Sequence, residues 1–297
     1  MISNAVTVRI PGSTSNLGSG FDTLGLAVRL YNRVQVTRVE GQGVRVLSAL
    51  REGPAQNISA ALKEGAELFF RRVDKPGFGV EFSLSGDVPF GRGLGASATA
   101  RLGLIAALNK LSAANLTREE LLDIVTALEG HPDNASPALF GGFTVSGKVD
   151  GRVRCLHFPV NAKIKLVTLI PNFVIETEDA RKLVPAMFSR ADTAHSLNRS
   201  ALISAAFASG NYEQLRGLFD DRLHQPYREK LLPQLSAVIR AGEQAGAIGG
   251  WLSGSGSAII CMTLEKAEQV GQAMQRELPE CEIKILTADN EGFRTTN

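Results

Sequence analysis

Val88-Pro89-Phe90-Gly91-Arg92-Gly93-Leu94-Gly95-Ala96-Ser97-Ala98 is the densest glycine segment of the chain and runs straight into an Ala/Leu-rich stretch that ends near Leu111. Glycine at positions 91, 93 and 95 removes side chains where a backbone has to approach something closely. The spacing predicts a helix from Ser97 to Leu111, with Ser97 in its first turn. Unpaired amides and the positive end of the helix dipole converge at such a junction, so a phosphate is its natural occupant. The pattern is G-x-G-x-G, not the dinucleotide fingerprint G-x-G-x-x-G, and no lysine precedes Ser97 as in a Walker loop. A tight strand-to-helix turn without a ligand reads the same way, so the loop alone leaves both readings open.

Upstream, Phe78 to Leu84 reads as a strand, and Asn57 to Val73 as a helix closed by Asp74-Lys75-Pro76-Gly77. Further back, Val6, Val8 and Ile10 alternate with polar residues and stop at Pro11-Gly12, a strand entering a Gly/Ser-rich loop. Leu24 to Leu30, Val34 to Val39 and Val44 to Leu47 continue the strand pattern. Downstream, Thr117 and Glu120 form a capping-box signature for a helix through Leu128. Strands are expected at Phe143 to Ser146 and Val153 to Phe158, and a second domain opens at Asn161 with a strand from Ile164 to Ile170. Helices follow near Asp179 to Leu183, Ala191 to Ala208, Tyr212 to Phe219 and Arg228 to Ala245. Strands at Ala247 to Leu252 and Ser257 to Met262, a helix at Glu265 to Glu277 and a strand at Glu282 to Leu286 complete the reading.

The chain has 297 residues, enough for two domains or one large one. Its 32 basic and 30 acidic residues leave a net charge of +2, which speaks against nucleic acid or anionic lipid as a partner. Three distant cysteines, without a C-x-x-C pair, argue against a disulfide framework or a zinc ribbon. No run of about 18 apolar residues suggests a membrane span, and the N-terminus lacks the pattern of a secretory leader. The expectation is a cytoplasmic protein.

Pro89 to Ala100 (PFGRGLGASATA) resembles the phosphate loop of the GHMP small-molecule kinases. Pro11 to Leu26 (PGSTSNLGSGFDTLGL) and Leu252 to Ile259 (LSGSGSAI) fit the same superfamily in order. Glu129 to Gly142 (EGHPDNASPALFGG) and Asp221 to Arg228 (DRLHQPYR) are similar to its homoserine kinase branch. Ala96 stands where a serine is common in that loop, and Ser19 and Ser257 stand where proline is usual. The resemblance implies an α+β fold of two domains, ribosomal-S5-like over residues 1–160 and ferredoxin-like over 161–297. It also implies ATP-dependent phosphorylation of the L-homoserine side-chain hydroxyl to O-phospho-L-homoserine, a step toward threonine. A GHMP kinase for another carboxylate-bearing alcohol, or a non-catalytic sensing relative, stays as an alternative. A homodimer is left open.

Phosphoryl transfer needs a cradle for the donor, a divalent cation and an oriented acceptor. The resemblance assigns the ATP cradle to Pro89, Gly91, Arg92, Gly93, Leu94, Gly95, Ala96, Ser97 and Ala98, with Asn57 near adenine. It makes the Ser97 hydroxyl and the Glu129 carboxylate ligands for Mg²⁺, two hard oxygens suited to that ion. Read on its own residue type, Ser97 is equally a helix cap and Glu129 a solvated charge. Asn134 would bond the acceptor hydroxyl, and Asp133 would be either a general base or a binder of the substrate ammonium. Arg181 and Arg228 match carboxylate-binding arginines, whose guanidinium forks suit bidentate recognition. Asn16 and Asp22 suit the ammonium, with Thr177 and His131 completing the pocket. His224 reads as a packing residue, and Gly254 and Gly256 as points of close backbone approach.

Overall fold

Alternation of apolar and polar residues places the strands, and the computed structural model describes residues 4–47 and 58–296 of the chain. Strand β1 (Ala5–Ser15) pairs antiparallel with β2 (Leu24–Val39), with Val8 opposite Val34. The strand does not end at Pro11-Gly12 as its sequence suggests. A register shift between these two residues absorbs the irregularity, and proline, which has no N–H for a ladder, is tolerated at such bulges. Likewise the two strand-like runs after Leu24 are one strand of 16 residues. Strands β3 (Val44–Val46), β4 (Gly79–Gly86), β5 (Phe143–Val149) and β6 (Arg152–Phe158) extend the sheet, β5 and β6 pairing beyond β2.

Three helices cover this first sheet: α1 (Ile58–Arg72), α2 (Ala96–Leu111) and α3 (Arg118–Glu129). The capping box at Thr117 and Glu120 forms as expected, and Gly130, in the left-handed region, ends α3. Leu62, Phe69, Leu104, Leu108 and Val125 pack with Val8, Ile10 and Val34 into one core. A short helix, α4 (Ala135–Phe140), leads into β5.

Strands β7 (Lys165–Ile170), β8 (Gly249–Leu252), β9 (Ile259–Thr263) and β10 (Glu282–Leu286) form a second, fully antiparallel sheet in the order β10-β7-β9-β8. This order, with helices between β7 and β8 and between β9 and β10, is the ferredoxin-like arrangement. Its residues divide by parity. Leu166, Ile260 and Met262 face α6 (Arg190–Ser209) and the β2 residues Leu24, Leu26 and Val28. Val167, Leu169, Ile259 and Cys261 face the opposite layer, which includes α8 (Leu235–Gln244) and α9 (Ala267–Glu277). Between β7 and α6 lies α5 (Thr177–Lys182), and ahead of α8 lies α7 (Gln225–Arg228).

Two expected helices are shorter than their patterns. Tyr212 to Phe219 contains one 3-10 turn, Tyr212–Leu215, followed by Gly217 at positive φ. Arg228 to Ala245 is broken ahead of Leu235, where Pro233 removes the N–H a continuous helix would need. The last strand, β11 (Arg294–Thr296), is not legible as one; it pairs with Thr7–Arg9 of β1 and closes the chain onto the first sheet. Among the described residues no helix is long and apolar enough to cross a membrane.

Candidate active site

The glycine loop enters α2 from β4 through three left-handed residues, Gly91, Gly93 and Gly95, with φ of 64°, 72° and 75°. Space is as limiting as conformation. A Cβ on Gly93 would lie 1.9 Å from the Ser253 carbonyl oxygen, and one on Gly95 2.3 Å from Ser13 Oγ. The loop's carbonyls are spent on the protein: Leu94 accepts from Ser13 N, Gly93 from Ser253 Oγ, Arg92 from Ala258 N and Gly91 from Ile175 N. The amides at the start of α2 have no intrahelical acceptors, and the side chains of the first turn are small. The result is a corner of free amides, suited to an anion, held from both sheets.

Ser97 does not cap the helix. It lies inside α2, and its Oγ donates to Glu129 Oε1 over 3.0 Å. Glu129, the last residue of α3, is not a solvated charge, since its side chain is only 9 % exposed. Arg101, one turn after Ser97, pairs with the same Glu129 oxygen.

Asn134 holds the N-cap position of α4 without capping it. Its amide is fixed from β1, accepting from Ser13 Oγ over 2.9 Å and donating to Ser15 Oγ over 3.1 Å. Asp133 is buried and bonded to His131 Nδ1. Burial alone would raise the Asp133 pKa, but the His131 hydrogen bond and charge, with help from Ser15 and Arg181, hold it below the usual carboxylate range. For His131, burial opposes the charged ring, yet Asp133 outweighs it and the pKa lies above the ordinary imidazole value.

Asp22, at φ 54°, receives both Nη atoms of Arg181, at 2.7 and 3.1 Å. Burial disfavours the Arg181 charge, and the Asp22 pairing more than restores it. Arg228 is buried, donates to the Gly254 carbonyl over 2.9 Å and lies over the Phe21 ring. Burial, and then the nearby Arg181 charge, push its pKa down to about 10. Asn16 Nδ2 donates to the Gly254 carbonyl, while Asn16 Oδ1 accepts from Asp22 N. Thr177 Oγ1 lies 3.2 Å from Ser255 Oγ. His224 stacks on Phe21 and holds the Gly18 carbonyl through Nε2, the packing role its sequence suggested.

One cleft of about 390 Å³ gathers these groups, from Pro89 and Gly91 through Gly93 to Ala98, past Glu129, His131, Asp133 and Asn134, to Asn16, Asp22, Thr177, Arg181 and Arg228. Arg92 does not line it. Its guanidinium turns away to the carbonyls of Phe90, Pro171 and Asn172, because three carbonyls close to the loop satisfy it better than open solvent. Asn57 lies outside the described residues. The sequence reading passed over Ser13, Ser15, Ser255 and Arg101. Ser13 and Ser15 lay within a quoted motif, and Arg101 was signalled by its spacing of four from Ser97.

A sheet-and-helix half with a glycine loop at a helix start, joined to a ferredoxin-like half across a charged cleft, is the architecture of a GHMP kinase. Family models agree: that for the GHMP kinases N terminal domain matches residues 59–142, and that for the GHMP kinases C terminal matches residues 203–280. The homoserine kinase of Caldicellulosiruptor bescii is 35 % identical, over 97 % of this chain and 95 % of its own length. That of Clostridium beijerinckii is 36 % identical over 97 % of both. Among solved structures, the homoserine kinase from Cytophaga hutchinsonii superposes with a TM-score of 0.87 at 24 % identity, covering 100 % of this chain and 98 % of that one. The L. major mevalonate kinase in complex with R-mevalonate gives 0.73 at 17 % identity, covering 98 % of each. The chain belongs to the homoserine kinase family, a group of ATP-dependent kinases.

Proposed function

We propose that the cleft brings ATP and L-homoserine together and transfers the γ-phosphoryl group to the side-chain hydroxyl, releasing O-phospho-L-homoserine and ADP. The observation that carries this reading is the polarity of the cleft. One end is an amide-lined loop suited to a polyanion, and the other presents Asp22 and Asp133 beside Arg181 and Arg228, partners for both charges of an amino acid. An acceptor without a carboxylate would offer neither guanidinium group a new partner, which disfavours simple alcohols. Residues 1–160 then supply most of the nucleotide cradle, and residues 161–297 supply the arginines.

Ser97 Oγ and the Glu129 carboxylate fit a small hard cation, being two oxygens held 3.0 Å apart beside the phosphate loop. Mg²⁺ bound there would neutralise phosphate charge. Asn134, fixed by Ser13 and Ser15, is oriented to bond the acceptor hydroxyl. Asp133, kept ionised by His131, is a poor proton acceptor, and its charge serves the substrate ammonium instead. Such a site needs no side-chain base if the departing proton passes to a phosphate oxygen.

Coupled ADP release by the purified chain with Mg²⁺, ATP and L-homoserine tests the reaction. Release that does not exceed a homoserine-free control would reject it. In the same assay Asp133→Asn separates the two roles of that carboxylate: an ammonium-binding group raises KM for homoserine with kcat largely kept, whereas a base loses kcat by 10²-fold or more, on the order expected for general base catalysis.

A further inference from the structure

Arg101 is the one charged residue between Ala96 and Asn109 of α2, a helix otherwise uncharged and mostly buried through this stretch. It follows Ser97 by four residues and so shares its face. The side chain lines the cleft and is 19 % exposed. Nη1 pairs with Glu129 Oε1, the oxygen that also accepts from Ser97. Nε is buried and has no hydrogen-bond partner. A guanidinium carries five donors in a fixed fork, and a single carboxylate oxygen uses few of them. Keeping such a group on an apolar helix is costly unless the remaining donors find acceptors, and the acceptors suited to this cleft are phosphate oxygens.

We propose that Arg101 is a phosphate ligand of the nucleotide, shared between Glu129 and the triphosphate, so that the Glu129 carboxylate restrains a cation that ATP recruits. The proposal rests on the reading of the cleft as an ATP site. It predicts that ATP retains affinity without a divalent ion, that Arg101 supplies much of it, and that Glu129 opposes it.

Equilibrium binding of ATP to the full chain in excess EDTA tests this, with adenosine as the ligand lacking phosphate. Arg101→Met is expected to weaken metal-free ATP about tenfold, the size of one charge-assisted hydrogen bond, and to leave adenosine affinity unchanged. Glu129→Gln is expected to tighten metal-free ATP relative to the unsubstituted chain. The double variant removes both members of the pair, leaves no unpaired buried charge, and should lose that gain. Arg101 acting only as a support for Glu129 predicts the opposite for the double variant, with no further loss once Glu129 is neutral. ATP affinity within about twofold of the unsubstituted chain in both Arg101 variants, or an equal loss for adenosine, would overturn the proposal. Absence of ATP binding by the unsubstituted chain even with Mg²⁺ would overturn the nucleotide cleft itself, a distinct result.

Discussion

Arg181 and Asp22 each hold the partner that the other must give up. The bidentate pair occupies two groups suited to the carboxylate and ammonium of the acceptor, and a zwitterion satisfies both when it enters. Arg181→Met is therefore expected to raise KM for homoserine by more than about tenfold, the loss of a charged hydrogen bond, and to change KM for ATP by less than about twofold. Steady-state kinetics with each substrate varied would show this, and equal effects on both substrates would refute it. His131 and Asp133 make a second pair with a pH signature. The Asp133 pKa is depressed, so its contribution to stability is present above about pH 4, its ordinary value, and is lost as pH falls through the folded one. The His131 pKa is raised, so its contribution is full below about pH 6.5 and is lost as pH rises through the folded value. The thermal midpoint of the unsubstituted chain should exceed that of His131→Gln most at pH 5 to 6, about the middle of that window, with the difference shrinking toward alkaline pH. A difference that grows with pH would contradict the pairing.

At the scale of elements, the loop before α2 is where sequence and structure agree most closely. The glycines were legible as places of close approach, but what approaches was not. Gly93 gives way to the Ser253 carbonyl and Gly95 to Ser13, both contacts from distant segments. Gly93→Ala combines a left-handed φ, costing roughly 1–2 kcal/mol, with a backbone clash, costing roughly 1–3 kcal/mol. The expected destabilisation is about 2–5 kcal/mol, with loss of ATP binding, measurable by urea unfolding and nucleotide titration. Helix boundaries were readable where caps are local, as at Thr117, Glu120 and Gly130. They were misread at Tyr212 and Arg228, where apolar spacing continued past a glycine and a proline. Strand β11 stayed hidden because Arg294–Thr296 is exposed and carries no apolar pattern; only its pairing with β1 makes it a strand.

Across the whole molecule the two sheets share a core, and the chain's single tryptophan reports on it. Trp251 of β8 is fully buried, and its Nε1 donates to Thr14 of β1 over 2.9 Å. Phe207 of α6 stacks on Phe143 of β5 with centroids 4.1 Å apart. Since each half completes the other's core, tryptophan fluorescence and far-UV circular dichroism should trace one coincident urea transition. Phe207→Ala should lower stability by about 3–5 kcal/mol without separating the two signals. Transitions that separate in the unsubstituted chain would show that the halves fold independently.

Local chemistry written along the chain determined the glycine loop, the capping box, the alternation of β1, and the residue types from which a charged pocket is built. These depend on neighbours within a few positions. Tertiary structure alone decided that Ser13 and Ser15 orient Asn134, that Arg92 turns away from the cleft while Arg101 enters it, and that Glu129 is buried. Each of these depends on which hydroxyl, carbonyl or carboxylate lies within hydrogen-bond reach once the chain has folded, a distance set by how the elements pack.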